Sequence, residues 1–271
     1  MKKTAAAPYQ LWMAIFVIVP LIMVAYFAFT NADGQFTFEN IIKTGEYIPI
    51  FAKSIGFAAI ATIICLIIAY PLAYILSTLD TSVQGTMVMI IMLPMWMNFL
   101  LRTYAWQTIL GNNGILNNLL GVFGIGPFKM LNTSGAVILG MVYDYIPYMI
   151  LPLYTVMAKL DKSIMEAASD LGCNGLKSII KVTIPLSVPG IISGVTMVFV
   201  PAISTFIISK MLGGSSNLLI GDLIEMQFLG TSYNPNLGAG ISFVLMVIIL
   251  IVMAVINLID KSENDDDKVL M

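Results

Sequence analysis

The sequence predicts an all-α membrane protein with six transmembrane helices. Of its 271 residues, 59% are hydrophobic and only 10% are charged, and the mean hydropathy is +0.93. Soluble domains are about one-quarter charged, so this composition is typical of a membrane protein. Apolar runs of the roughly 20 residues needed to cross the hydrocarbon core recur along the chain. No polar stretch is long enough for a separate soluble domain, and we expect residues 1–271 to form a single transmembrane domain.

The predicted spans lie at approximately 11–30, 55–78, 84–108, 135–158, 187–208 and 238–259. The first follows Lys2 and Lys3, as the apolar part of a signal peptide would. Its run is too long for that role and no A-x-A cleavage site follows it, so we expect a retained anchor. Prolines interrupt several spans, at positions 71, 94, 147, 152 and 201. They either bend helices around a pathway or are static kinks, and both interpretations are open.

Lysine residues orient the chain, because cytoplasmic segments carry an excess of positive charge. With the N-terminus inside, the cytoplasmic segments hold Lys2, Lys3, Lys159, Lys162, Lys177, Lys181, Lys261 and Lys268. The outer segments hold Lys43, Lys53, Lys129 and Lys210. We therefore expect both termini, and the segment 159–190, to be cytoplasmic.

The residue types that bind metals or perform catalysis are scarce. Cys65 lies in an apolar run and Cys173 in the 159–190 segment, so we predict neither a disulfide nor a metal site. Histidine is absent. The GISF sequence at 240–243 therefore cannot supply the Ser–His dyad of an intramembrane serine protease. We expect no catalytic residue.

The charged segment 159–190 interrupts the apolar runs, and we call it the EAA loop after Glu166-Ala167-Ala168. Ser163 and Glu166 have the S-x-x-E spacing of a capping box at the start of a short helix. Gly172 suits the left-handed residue that follows a last helical turn. An amphipathic loop lying on the bilayer would show the same local pattern.

A second short helix is predicted after Gly172, from Leu176 to about Ile184. Pro185 would end it, because proline lacks the N–H that a helix interior requires. Pro189-Gly190 would then turn the chain into the fifth span.

The spacing within the EAA loop resembles the EAA signature of permease subunits of ABC importers. The matching positions are Glu166-Ala167-Ala168, Leu171-Gly172, Pro185, Pro189-Gly190-Ile191 and Gly194, whereas Cys173 and Ile179 depart from the usual Ala and Phe. In that family the first short helix is the coupling helix, which docks into a groove on a cytoplasmic ATPase subunit. The resemblance implies the following coupling residues: Glu166, Ala167, Ala168, Asp170, Leu171 and Gly172.

Longer segments resemble the spermidine/putrescine permeases of the PotB type. These are LLRTYAWQTILGNNGILNNLLG (100–121), LDKSIMEAASDLG (160–172) and NLLIGDLIEMQFL (217–229). The resemblance covers nearly the whole chain and implies the type I ABC importer permease fold in a bacterial cell membrane. It also implies a homologous second permease (PotC type), two ATPase subunits (PotA type), an extracellular polyamine-binding protein (PotD type), and no nucleic acid.

The chain lacks the G-x-x-x-x-G-K-[ST] phosphate loop, and it contains no Gly-Lys pair at all. If the protein pumps a solute, ATP must be hydrolysed elsewhere. We therefore expect no cofactor in this chain, with ATP and Mg²⁺ bound by the partner ATPase.

Asp144 is the most unusual residue of the predicted fourth span. It is flanked by Tyr143 and Tyr145 and followed by Tyr148. A carboxylate at membrane depth costs about 2.5–3.5 kcal/mol on insertion scales, so it should face protein or water. Tyrosine faces and a carboxylate together suit an organic cation. Alternatively, Asp144 pairs with Arg102, which lies at a similar depth in the third span, and the two roles can coexist.

Other pathway candidates lie near the predicted outer surface. Asp222 and Glu225 either attract a cation or form the wet face of an extracellular helix. Trp96, Tyr104 and Trp106 are candidate stacking residues, although an interfacial aromatic belt explains Tyr104 and Trp106 equally well.

Two alternatives to a polyamine importer stay open at this stage. A secondary transporter would also have bent helices and a buried charge, although it would usually show repeated halves. An importer for another small organic cation would share every feature described above.

Overall fold

The computed structural model describes residues 11–230 and 232–269, with side chains except at positions 162, 169, 176 and from 259 onward. Lys2 and Lys3, used to orient the chain, lie outside the described residues. The helices are α1 (Leu11–Ala28), α2 (Glu39–Thr44), α3 (Ile48–Thr78), α4 (Thr81–Met92), α5 (Phe99–Leu110), α6 (Ile115–Val122), α7 (Ser134–Met157), α8 (Lys162–Asp170), α9 (Gly175–Ser178), α10 (Ile184–Ser204), α11 (Ile220–Leu229) and α12 (Pro235–Val269).

Helix α7 lies at the centre of the fold and packs between α3 and α10. Small residues let membrane helices approach closely, which strengthens van der Waals packing where lipid provides little hydrophobic drive. On α3 these residues recur every three or four positions and are fully buried: Ala58, Ala61, Cys65, Ala69 and Ala73. The facing helix contributes larger side chains, with Met141, Met149 and Leu153 fully buried.

On the other side of α7, helix α10 approaches through two glycines. A Cβ atom at Gly190 would stand 3.2 Å from the Pro152 carbonyl oxygen and 3.2 Å from Val156 Cβ. At Gly194 it would stand 2.6 Å from the Met149 sulfur. A side chain at either position would therefore force the neighbouring atoms of α7 to shift.

The EAA loop and the segment 205–234 lie at opposite ends of this bundle. The Ile220 N–H donates to Ser54 Oγ over 2.8 Å, which ties 205–234 to the start of α3. Met157 and Glu166 line one cleft, which joins the end of α7 to the EAA loop. Lys159, Lys177 and Lys181 are thus separated from Lys53 and Lys210, and which end is cytoplasmic stays a prediction.

Within the described residues, five helical stretches are long and apolar enough to cross a bilayer: Leu11–Ala28, Glu39–Thr78, Ser134–Met157, Ile179–Ser204 and Pro235–Leu258. A bent pair, Thr81–Trp96 with Phe99–Val122, makes a sixth candidate. The all-helical prediction is confirmed for the described part of the chain, and the number of spans is five or six.

The predicted third span, 84–108, is wrong as one continuous helix. The helix breaks at 97–98, and the chain bends there by 85°. Pro94 lies in a tight 3₁₀ turn before the break. After it, Asn98 starts α5 by accepting the Leu100 N–H over 2.8 Å. The side-chain cap satisfies an amide that a continuous helix would have paired with its backbone.

Two expectations for the end of the EAA loop are also wrong. Pro185 does not end a helix, and Pro189-Gly190 does not form a turn, because both lie within α10. A π-helical turn, Ile179–Thr183, joins α9 directly to α10. This turn shifts the hydrogen-bond register from i−4 to i−5 just before Pro185, which lets the chain accept the proline and continue.

We expect the Gly190→Val substitution to destabilise the fold by about 1–3 kcal/mol, because the new side chain overpacks the contact between α10 and α7. The measurement is the thermal unfolding midpoint of the purified protein. Gly56→Val is the matched control, since Gly56 is also helical but has no atom within 4 Å of its Cβ position. Equal midpoints for the two variants would show that the α7–α10 contact is not close-packed.

Candidate functional site

Helix α8 of the EAA loop begins two residues earlier than a capping box at Ser163 predicts. Asp161 Oδ1 accepts the Ser163 N–H over 3.0 Å, and the helix starts at Lys162. The box predicted between Ser163 and Glu166 is therefore wrong, because the Asp161 carboxylate takes the capping position. The Ser163 N–H that donates to this carboxylate lowers the pKa of Asp161.

The other end of α8 has the predicted glycine termination. Gly172 has φ of +80°, which confirms its left-handed conformation. The Leu171 N–H donates to the Ala167 carbonyl over 3.1 Å, and the Cys173 N–H donates to the Ala168 carbonyl over 3.0 Å. The bond from Cys173 to Ala168 is the six-to-one hydrogen bond of the Schellman motif, which satisfies a carbonyl that the helix end leaves unpaired. Both ends of α8 are thus fixed by short-range bonds.

One side of α8 contacts the rest of the chain and the other does not. Ala168 is buried, and the Ser178 and Thr183 hydroxyls lie 3.8 and 3.7 Å from the Met165 sulfur. The remaining candidate coupling residues, Glu166, Ala167, Asp170, Leu171 and Gly172, are exposed. Leu171 has 85% of its surface exposed, so the described part of the chain leaves an apolar tip uncovered. Such a face can dock against another protein.

The central polar site joins α5 to α7. Arg102 Nε lies 3.4 Å from Asp144 Oδ1, and these side chains are 7% and 1% exposed. Thr103 Oγ1 donates to Asp144 Oδ2 over 3.4 Å. The guanidinium also lies 5.8 Å from the centre of the Phe99 ring. The two residues expected at similar depth are therefore in contact, immediately after the break at 97–98.

This pair retains unused hydrogen-bonding capacity. Among the described residues, Arg102 Nη1 and Asp144 Oδ1 have no hydrogen-bond partner although both atoms are buried. Buried polar atoms are normally paired, so each marks a position where a further polar group would bind favourably. The ion pair holds the site together, but not all of its hydrogen-bonding atoms are paired within the described residues.

The tyrosines around Asp144 fall into two groups. Tyr145 is buried and its hydroxyl donates to the Pro201 carbonyl over 3.4 Å, while its ring centre lies 6.4 Å from that of Tyr148. Tyr148 is 39% exposed. Tyr143 instead packs edge-on against Trp106 at 5.3 Å. Only Tyr145 and Tyr148 therefore form a shared aromatic surface.

The aromatic candidates outside this cluster point away from the interior. Trp96 is 75% exposed and Tyr104 is 60% exposed. A residue that lines a pathway within this chain would be more enclosed. Their exposure suits contact with lipid headgroups or with another subunit.

The two acidic residues of α11 have different environments. Asp222 is only 3% exposed, and its Oδ2 accepts the Leu219 N–H over 2.8 Å at the start of the helix. The wet-face interpretation is thus wrong for Asp222, because capping draws its carboxylate inward. Burial raises the pKa of this carboxyl. Glu225 forms an ion pair with Lys210, whose Nζ lies 2.8 and 2.9 Å from the two carboxylate oxygens.

Three roles were not predicted from the sequence: Asp161 as a cap, Met165 as a contact of α8, and Lys210 as the partner of Glu225. Asp161 could have been found, because an acidic residue at this position is a good N-cap. Lys210 and Glu225 are 15 positions apart and lie on different elements, so no local spacing rule connects them. Among the described residues, no cluster of His, Cys, Asp and Glu could hold a metal ion.

Comparison with known proteins identifies the family of the chain. Residues 7–263 match the family described as "Binding-protein-dependent transport system inner membrane component". The chain is 38% identical to the spermidine/putrescine transport system permease protein PotB of Haemophilus influenzae, over 97% of this chain and 95% of that protein. It is 36% identical to PotB of Escherichia coli K12, over 90% and 92%.

The fold is similar to that of a chain in the crystal structure of a bacterial ABC transporter involved in the import of the acidic polysaccharide alginate. The TM-score is 0.81 at 15% identity, over 96% of this chain and 94% of that chain. A likeness at this identity concerns the fold alone. From the family match and the identities over almost its full length, the chain belongs to the family of inner membrane components of binding-protein-dependent transport systems.

Proposed function

We propose that this chain is the permease subunit of an ATP-driven importer that moves polyamines, spermidine or putrescine, into a bacterial cell. The observation that carries the proposal is the 38% identity to a spermidine/putrescine permease over 97% of the chain. Membership of the transport family argues against the secondary transporter that bent helices left open. The chain itself is non-catalytic in this proposal, and its role is to provide the path and the coupling.

The coupling element is α8, which would dock on a cytoplasmic ATPase subunit that binds ATP and Mg²⁺. Support comes from its fixed ends, the contacts of Met165 with Ser178 and Thr183, the burial of Ala168, and its uncovered Leu171. The full importer would hold two such ATPases, a homologous second permease and an extracellular polyamine-binding protein. Both termini of this chain would then be cytoplasmic, as the lysine distribution predicts.

The polyamine path would pass the Asp144 site. A carboxylate held at membrane depth beside Tyr145 and Tyr148 offers an ammonium group both charge and aromatic faces. Cation–π contact contributes about 0.5–2 kcal/mol per ring, more when water is excluded. The Arg102 guanidinium offsets much of the cost of burying Asp144 in the empty state. Residues on the second permease would complete the path.

Gly172→Asp should abolish uptake and uncouple the ATPase while the chain still inserts in the membrane. A non-glycine residue in the left-handed conformation costs about 1–3 kcal/mol, so the end of α8 would be rearranged. The measurements are spermidine uptake and spermidine-stimulated ATP hydrolysis by the reconstituted complex.

The matched control for this variant is Gly175→Asp. Gly175 belongs to the same loop, has open space around its Cβ position and lacks the positive φ of Gly172. An aspartate there also lies at the start of a helix, where negative charge is favourable. Normal spermidine-stimulated ATPase activity in Gly172→Asp would count decisively against a coupling role for α8.

Exchanging the two charges of the central site separates pairing from cation binding. If Asp144 serves only as the partner of Arg102, the double variant Arg102→Asp/Asp144→Arg should regain both stability and transport. If Asp144 binds the substrate, we expect assembly to recover and transport to stay lost. A guanidinium would then repel an ammonium at about 4 Å by around 4 kcal/mol, enough to slow passage roughly a thousandfold.

Uptake of radiolabelled spermidine into vesicles, normalised to the amount of assembled complex, measures this outcome. The single variant Arg102→Asp is the control, because it leaves two acidic groups in contact and should fail to assemble. Robust uptake by the double variant would leave Asp144 with a structural role alone.

A further inference from the structure

A small pocket lies beside α11, at the end of the bundle opposite the EAA loop. It has a volume of about 160 Å³, and Lys210, Asp222 and Glu225 contribute its charged groups. Lys210 belongs to the π-helical turn Ser209–Gly213, which follows α10. The pocket therefore lies between the turn that follows α10 and helix α11, which precedes α12.

The pocket already holds an alkylammonium group, the side chain of Lys210. Its Nζ lies 2.8 and 2.9 Å from the two oxygens of Glu225. Lys210 is 60% exposed and Glu225 is 24% exposed. Exposed ion pairs shift an equilibrium by about fivefold at most, so this contact is readily exchanged for a similar one. A primary amine of a polyamine has the same charge and donor geometry as Lys210 Nζ.

Asp222 supplies a second acceptor deeper in the same pocket. It is 3% exposed, and its Oδ1 has no partner of good hydrogen-bond geometry among the described residues, although the Ser209 hydroxyl lies near this carboxylate. Its other oxygen is used by the Leu219 N–H. Positions three apart on a helix are neighbours, with about 5–6 Å between their Cβ atoms. A molecule with two ammonium groups joined by a few methylene groups can therefore reach Asp222 and Glu225 together.

We propose that this pocket is an ammonium-binding site of the importer, at which a polyamine displaces Lys210 from Glu225 and bonds to Asp222. The inference rests on the proposed function and adds a specific site and its mechanism. Lys210 acts as a tethered competitor that occupies Glu225 when no substrate is present. The site selects primary amines, because only a small, unhindered ammonium can replace Lys210 Nζ between the two oxygens.

The test compares the two halves of the ion pair by direct binding. The complex of permease and ATPase subunits is reconstituted in nanodiscs without the binding protein, and binding of radiolabelled spermidine is measured. Lys210→Met removes the competitor and should tighten binding about two- to fivefold. Glu225→Gln should weaken it roughly tenfold, and the double variant should match Glu225→Gln. Asp222→Asn, which keeps an oxygen for the Leu219 N–H, should also weaken binding.

The ion pair between Glu39 and Lys43 is the matched control. It lies at the same end of the bundle, is exposed, and has an Nζ–Oε1 distance of 2.7 Å. Glu39→Gln and Lys43→Met should leave binding unchanged. If Lys210→Met and Glu225→Gln alter affinity in the same direction, or not at all, the pocket is not an exchange site. Absence of any spermidine binding by the unaltered complex would overturn this site, whereas the proposed function is measured separately, by spermidine uptake with the binding protein present.

Discussion

The close contact of α7 with α3 and α10 is the interaction on which the rest of the structure depends. In lipid, helices gain little from burying apolar surface against one another, so close van der Waals packing must hold them. The fully buried alanines of α3 and the glycines of α10 permit this approach on the two sides of α7. Asp144 projects from the same helix, so the position of the central carboxylate follows from this packing.

Breaks in the helices place charged residues at both the centre and the end of the bundle. The break at 97–98 lies one turn before Arg102, and it directs α5 so that the guanidinium reaches Asp144. The π-helical turn Ser209–Gly213 carries Lys210 across to Glu225. Irregular backbone at membrane depth is tolerated where protein surrounds it, and here the side chain of Asn98 satisfies the helix start. The break at 97–98 thus orients a helix, and the turn Ser209–Gly213 carries a residue, that form these two charged contacts.

Hydropathy predicted most of the spans because it reports local composition. The prediction 135–158 differs from Ser134–Met157 by one residue at each end, since Thr133 caps the helix and Ala158 follows its last turn. Hydropathy averaged over an apolar run does not detect the break at 97–98, because Asn98 is a single polar residue. Its role as a helix cap depends on local geometry, which the average does not report. The Arg102–Asp144 contact was predictable from depth. Burial of Asp222 was not, because it follows from tertiary packing around Leu219.

Short segments connect α8 to α7 and α10, the helices that reach the opposite end of the bundle. Four residues, 158–161, join it to α7, and four more, 171–174, join it to α9 and thence without interruption to α10. Because these segments are short and the ends of α8 are fixed by the Asp161 cap and by Gly172, α8 has little freedom to move independently of α7 and α10. A force on α8 would therefore be transmitted to α7 and α10, which pack closely against each other. Because α7 carries Asp144 and α10 leads to Lys210, α8 is joined through these two helices to both charged sites.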